Sequence, residues 1–218
     1  MLDFLMISTR QGKRGVTEIY PKFVIKKSSD LMIRGGDFYA IWIAERGLWS
    51  TDEQDALDLI DRELDAYAQQ NKDKFEGIPR VLHMWDAESR MISSWHQYCQ
   101  KDMRDNFHML DEKLIFSNTE TSKKDYASKR LNYPLEPCDT PAYEKLISTL
   151  YSPEERHKIE WAIGSIVSGD SKKIQKFMVM YGAAGTGKST ILNIIQQLFE
   201  GYYSVFDAKA LGSSNNSF

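Results

Sequence analysis

Phe177 to Thr190 read FMVMYGAAGTGKST, and this stretch decides the fold of the carboxy-terminal part of the chain. The nine residues from Gly182 contain the pattern GxxxxGK[ST], which is typical of a loop that cradles phosphate groups. The apolar run Phe177–Tyr181 predicts a buried strand leading into the loop. Ile191, Ile194, Ile195 and Leu198 recur at helical spacing, so they predict a helix from Lys188 to Phe199. The order strand, glycine-rich loop and helix indicates the start of an α/β core.

The residue types in this loop suit the binding of a nucleoside triphosphate. Glycines allow positive φ angles and leave room for phosphate oxygens beside backbone N–H groups. The amino terminus of the following helix attracts the same anion. Lys188 is suited to the β and γ phosphates and is the candidate catalytic residue, and Ser189 is suited to a magnesium ion. The predicted cofactors are ATP and Mg²⁺, held by Gly182, Ala183, Ala184, Gly185, Thr186, Gly187, Lys188, Ser189 and Thr190.

Upstream of the loop, helical patterns predict further elements. Ser50–Glu53 resembles a capping box, and the apolar positions after it predict a helix from about Asp52 to Gln70. Met91, Trp95, Tyr98 and Cys99 would line one face of a second helix. Pro141 favours the start of a further helix, and Ser152-Pro153-Glu154-Glu155 favours the start of another, which Gly169 would end.

These patterns divide the 218 residues into four parts. Residues 1–34 are basic and predict short strands or loops, and 35–116 predict a mostly helical domain. The proline-containing residues 117–140 predict a linker, and 141–218 predict the first portion of a P-loop ATPase core. The fold class expected for the whole chain is therefore α+β.

Composition leaves the partner of the protein open. The formal net charge of −3 provides no overall attraction to nucleic acid, so any contact with DNA must come from local basic patches. Two such patches stand out, although solvated loops explain both more simply. The first patch consists of Arg10, Lys13, Arg14, Lys22, Lys26 and Lys27. The second consists of Lys123, Lys124, Tyr126, Lys129 and Arg130. The histidines lack metal-ligand spacing, and Cys99 and Cys138 are expected to be reduced thiols. The first residues resemble neither a signal peptide nor a membrane span, so we expect a cytoplasmic protein without a membrane partner.

The stretch around the loop also resembles a known family. Gly169-Asp170, the run Phe177–Phe199 and Gly201-Tyr202-Tyr203 resemble the superfamily III helicase domain of primase-helicases from phages, plasmids and large DNA viruses. Residues 35–113, with Trp42 and Trp49, are similar to the poxvirus-type amino-terminal helical domain of those proteins. The resemblance implies an AAA+-like core, ATP-driven unwinding of duplex DNA during replication, and a ring of identical subunits moving along single-stranded DNA.

The sequence departs from that family after the loop. The acidic metal-binding strand, the polar sensor and the arginine finger of the family cannot be located before Phe218, and Asp207 lies too close to the loop helix to be the acidic ligand. We therefore expect the chain to be part of a longer polypeptide, with little ATP hydrolysis by itself. Two alternatives remain open: a small-molecule kinase with the same loop, and a replication scaffold with a vestigial nucleotide site.

Overall fold

The computed structural model describes residues 1–24, 27–35, 38–86, 90–101 and 107–205 of a mixed α+β chain. Contacts between Cα atoms divide the chain into two compact units. The first unit combines Met1–Leu110 with Glu120–Ser128, and the second combines Asp111–Thr119 with the residues from Lys129 onward.

Two three-stranded sheets form most of the first unit. Strands β1 (Leu5–Gln11) and β2 (Thr17–Phe23) pair antiparallel, and β6 (Arg80–Val81) lies parallel to β2 on its other side. Strands β3 (Leu31–Gly35), β4 (Phe38–Ile43) and β5 (Leu48–Ser50) form an antiparallel meander. Because side chains alternate along a strand, β2 buries Ile19 and Pro21 and turns its even-numbered side chains to the other face.

Two helices cover the core of this unit. The predicted helix at Asp52–Gln70 is confirmed as α1 (Glu53–Gln70), and the carboxylate of Asp52 caps it by accepting from the N–H of Gln54 at 3.0 Å. Its fully buried residues are Ala56, Leu57, Ile60 and Leu64. Helix α2 (Met91–Lys101) buries the four predicted side chains, Met91, Trp95, Tyr98 and Cys99. Burial of each large apolar side chain contributes about 1.5–3 kcal/mol, so these faces hold the helices on the sheets.

The predicted mostly helical domain over residues 35–116 is not confirmed. That range contains β4, β5 and β6 besides the two helices. The run from Phe38 to Ile43 is apolar on both faces and pairs with strands on both sides. Trp42 and Trp49, which the resemblance assigns to a helical layout, are opposite each other on β4 and β5, with ring centroids 5.9 Å apart. A cross-strand aromatic pair of this kind stabilises a sheet.

The regular secondary structure in the described part of the second unit is helical. Its helices are α3 (Pro141–Leu150), α4 (Pro153–Val167), the single turn α5 (Ser171–Ile174) and α6 (Lys188–Leu198). The predicted start of α4 is confirmed, since Ser152 and Glu155 form a reciprocal capping box beside Pro153 at the first helical position. Gly169 has φ 75° just after the helix. Ile147, Ile159 and Ile191 are buried together and join α3, α4 and α6.

The segment predicted as a linker is divided between the two units. Residues 120–128 cluster with the first unit, whereas 117–119 and 129–140 cluster with the second. Ala127 and Leu131 are buried, and only residues 134–140 form a continuous exposed stretch. Among the described residues, no helix combines the length and the apolar character needed to cross a lipid bilayer.

Candidate phosphate-binding site

The loop Gly182–Gly187 lies directly before α6 and has the backbone conformation that its glycines predict. Gly182, Gly185 and Gly187 have φ angles of 153°, 78° and 77°, a region that side chains rarely adopt. Gly187 is the residue before the first turn of α6. The first N–H groups of a helix have no acceptor within it, and its dipole is positive at that end. The loop therefore ends at the amino terminus of a helix, where the free N–H groups and the helix dipole favour an anion.

Lys188 is bound to the loop itself. Its ammonium group donates to the carbonyl oxygens of Gly182 at 2.9 Å and Ala183 at 2.5 Å, and to the hydroxyl of Thr186 at 3.0 Å. The Thr186 hydroxyl donates in turn to the Ala183 carbonyl at 3.0 Å. A lysine ammonium has three N–H donors, and acceptors of the loop match all three. The positive charge of Lys188 is thus held by the loop itself.

Gly187 combines a positive φ angle with a close approach to a side chain of α3. A Cβ atom at this position would lie 2.7 Å from Cδ1 and 3.0 Å from Cδ2 of Leu150, at the end of α3. Real Cβ atoms do not approach other atoms so closely. A side chain at position 187 would therefore require the flexible end of Leu150 to move.

The strand predicted at Phe177–Tyr181 is not formed, which corrects the expected order of strand, loop and helix. These residues have no regular secondary structure and no ladder partners, and Phe177, Val179 and Tyr181 are 89%, 71% and 98% exposed. A strand is defined by hydrogen bonds to a neighbour, and the described part of the second unit contains no other strand. The residue types are typical of a strand, but in the described part of the second unit residues 177–181 have no neighbouring strand with which to pair.

A cavity of about 380 Å³ adjoins the loop. Residues at the end of α3, three residues in the first half of α4 and residues 178–182, Thr186 and Lys188 line it. Leu150, Ile159, Met178 and Met180 make part of the wall apolar. A volume of a few hundred Å³ with an apolar wall and few polar groups is usual for a small-molecule site.

Three polar side chains of this cavity were not identified from the sequence: Tyr151, Glu155 and Lys158. The Tyr151 hydroxyl is buried and has no hydrogen-bond partner among the described residues, and burial raises its pKa. Glu155 accepts from the backbone N–H of Ser152 at 2.9 Å, which lowers the pKa of its carboxyl group. A hydrogen bond to Glu154 raises the pKa of Lys158. Of these three side chains, only Glu155 belonged to a motif visible in the sequence, the capping box with Ser152. That motif indicated the start of a helix rather than a cavity.

The predicted metal ligand Ser189 and its neighbour Thr190 lie exposed in the first turn of α6. Within the described ranges, no group of three or more His, Cys, Asp or Glu side chains is placed to hold a metal ion. Asp207 lies outside the described residues. The hydroxyls of Ser189 and Thr190 both follow Lys188 directly in the first turn of α6.

The basic residues singled out in the sequence have different environments. Lys123 forms an ion pair with Asp30, and Tyr126 stacks on His108 with ring centroids 4.0 Å apart. These contacts give two members of the second patch structural roles. Arg10 and Lys13 of the first patch line a groove of the first unit together with Arg80 and Arg90, which sequence reasoning missed. Lys26 lies outside the described residues.

A comparison of the chain with family models, curated proteins and solved structures finds no match.

Proposed function

We propose that this chain is the ATP-binding portion of a replicative DNA helicase of the superfamily III type. In this proposal the second unit is the beginning of an AAA+-like P-loop core, and the chain acts as one subunit of a ring on single-stranded DNA in the cytoplasm of a host cell. The observation that carries the proposal is the loop Gly182–Gly187, with three positive-φ glycines and the Lys188 ammonium directed into it.

The residues of the loop fit ATP with Mg²⁺. Lys188 would transfer its hydrogen bonds from Gly182 and Ala183 to phosphate oxygens, so a charge already held in the loop meets the anion. Ser189 would supply a hydroxyl ligand to the magnesium ion. Bound ATP would supply the phosphoryl group whose hydrolysis drives unwinding. The adjoining cavity would hold the base and ribose against its apolar wall.

The position of the phosphate loop along the chain favours a helicase over a small-molecule kinase. Such kinases usually begin with their phosphate loop, whereas here a folded unit with its own core precedes it. Such a unit is suited to a nucleic-acid partner or to assembly.

The two functions differ in the coupling between nucleotide and DNA. In a helicase, each ligand changes the affinity of the other by the same factor, typically about 5- to 150-fold. We expect a single-stranded 20-mer of thymidine to change the affinity for ATPγS with Mg²⁺, and ATPγS to change the affinity for the 20-mer equally. Titration calorimetry measures both. A kinase, or a scaffold with a vestigial site, would bind nucleotide with no dependence on the oligonucleotide or not at all, and that result would contradict the proposal.

Tyr151 provides a separate test of where the nucleoside lies. Its unpartnered hydroxyl would gain an acceptor from the base or ribose, and such a hydrogen bond contributes about 0.5–1.5 kcal/mol. Tyr151→Phe should therefore weaken ATP binding roughly two- to tenfold and leave binding of inorganic triphosphate unchanged. Tyr143→Phe is the matched control, because its hydroxyl bonds to Glu160 outside the cavity. Equal losses for ATP and triphosphate would place the nucleoside elsewhere.

A further inference from the structure

A second candidate site lies in the first unit, on a groove of about 960 Å³. Four cationic side chains line it, Arg10, Lys13, Arg80 and Arg90, and the carboxylate of Glu18 is the acidic side chain among its lining residues. All four cations are exposed. The groove shares no lining residue with the phosphate loop or its cavity.

The sheet β1–β2–β6 brings these residues together. Arg10 on β1 is opposite Glu18 on β2, and Glu18 is opposite Arg80 on β6, so the three form a row across the strands. Gly12, in the turn after β1, leaves space for Glu18, because a Cβ atom there would lie 2.7 Å from its carboxyl carbon. The row is therefore built by strand register and turn geometry.

Glu18 orients the two arginines without neutralising the groove. Its carboxylate lies 2.8 Å from Nε of Arg10 and 4.0 Å from a guanidinium nitrogen of Arg80, which also pairs with Asp86 at 3.2 Å. Lys13 and Arg90 form no ion pair among the described residues. Among the described residues that line the groove, four cationic side chains accompany one carboxylate.

The same face of β2 continues with an aromatic ring and a further cation. Tyr20 and Lys22 follow Glu18 at alternate positions, so all three share one side of the sheet. The guanidinium carbon of Arg10 lies 5.1 Å from the ring centroid of Tyr20, and Nζ of Lys22 lies 5.8 Å from it. Glu18 and Lys22 are four residues apart, about 13 Å along a strand, which is longer than one phosphate group.

We propose that this face of the first unit binds single-stranded nucleic acid. Arg10, Lys13, Arg80 and Arg90 would contact successive phosphates, and Tyr20, with the arginine beside it, would stack on a base. A basic track interleaved with an aromatic ring is how single strands are bound without regard to sequence. A compact anion such as phosphate would need only one or two of these cations, whereas an extended polyanion uses the whole row. A single strand also exposes bases to Tyr20, which a duplex does not.

The first experiment measures binding of a fluorescent 20-mer of thymidine to the whole chain by anisotropy, over a range of salt concentrations. The double variants Arg10→Gln with Arg80→Gln, and Lys13→Gln with Arg90→Gln, should each weaken binding roughly tenfold. Each should also reduce the slope of log K against log salt by about 0.7 per lost phosphate contact. Arg62→Gln is the matched control, because Arg62 lies exposed on α1 and lines none of the groove. Unchanged affinity in both double variants would overturn the proposal.

The second pair of variants keeps the test independent of folding defects. Lys13 and Arg90 make no ion pair in the described structure, so their replacement should leave thermal unfolding unchanged while it weakens binding. Lys188→Ala should bind the 20-mer of thymidine as the unchanged chain does when no nucleotide is present. That result would show that the strand binds independently of the nucleotide site, so the two proposals can be contradicted separately.

Stacking is tested with ligands and with Tyr20. The Tyr20→Leu variant should bind the 20-mer of thymidine several-fold more weakly than the unchanged chain, whereas the Tyr20→Phe variant should retain the affinity. A 20-mer of abasic sites has no bases to stack. The unchanged chain should therefore bind it about as weakly as Tyr20→Leu binds the 20-mer of thymidine. A 20-mer of uridine tests RNA against DNA as the source of the strand. If polyglutamate or duplex DNA binds as tightly as the single strand, the face is a general polyanion surface and the proposal is wrong.

Discussion

Replacing Lys188 with alanine is expected to weaken the binding of ATP with Mg²⁺ roughly ten- to a hundredfold. A hydrogen bond between charged partners contributes about 1.5–3 kcal/mol, and each 1.4 kcal/mol is about a factor of ten in affinity. The ammonium group also makes three contacts within the loop, to Gly182, Ala183 and Thr186. Its loss therefore removes a phosphate contact and loosens the cradle, and titration calorimetry measures the combined effect.

Lys145→Ala is the matched control for this experiment. Lys145 is exposed on α3 in the same unit, and its removal changes the net charge by the same amount without touching the loop. Lys188→Met separates the two contributions, because it keeps much of the chain length but loses the charge. If Lys188→Ala binds ATP as tightly as Lys145→Ala, the loop is not a nucleotide site.

Gly187→Ala is expected to destabilise the start of α6 and with it nucleotide binding. A non-glycine residue at φ 77° costs roughly 1–2 kcal/mol, and its Cβ would approach Leu150 to 2.7 Å. The atoms approached are the flexible end of the Leu150 side chain, which can move aside, so the backbone strain accounts for most of the expected loss of unfolding free energy, about 1–2 kcal/mol. Hydrogen exchange of the amides of α6 and urea unfolding of the chain measure it.

Gly164→Ala is the control that distinguishes a general loss of glycine from the specific role of Gly187. Gly164 lies inside α4, and an added Cβ there would meet no atom within 4 Å. Alanine should stabilise that helix by about 0.5–1 kcal/mol. The double variant Gly187→Ala with Leu150→Ala should relieve the close approach but retain the φ strain. Unchanged protection of α6 in Gly187→Ala would show that the positive φ angle of Gly187 does not hold the start of the helix.

Features with local causes were predicted well from the amino-acid sequence. The start of α4 depends on Ser152, Pro153 and Glu155, which are neighbours in the chain, and the structure has the predicted capping box there. Helix α1 was likewise visible in the spacing of Leu57, Ile60 and Leu64. The glycine pattern of the loop predicted positive φ angles because few other residues tolerate them.

Features that depend on distant residues were missed or misplaced. Strands β4 and β5 were assigned to a helical domain, because apolar residues on both faces of a strand leave no alternation to detect. The cavity beside the loop joins Tyr151 to Lys188, and nothing near either residue indicates the other. The same holds for Arg80 and Arg90, which join Arg10 through the pairing of β6 with β2.

By itself, the sequence determined the phosphate-loop motif and the starts of the capped helices, because these follow from backbone preferences of adjacent residues. Tertiary structure alone decided three further features: the contact of Gly187 with Leu150, the row of Arg10, Glu18 and Arg80, and the absence of a ladder for residues 177–181 in the described part of the second unit. The physical reason is that close packing and strand pairing join residues far apart in the chain. A single sequence contains no local signal for which partners will meet.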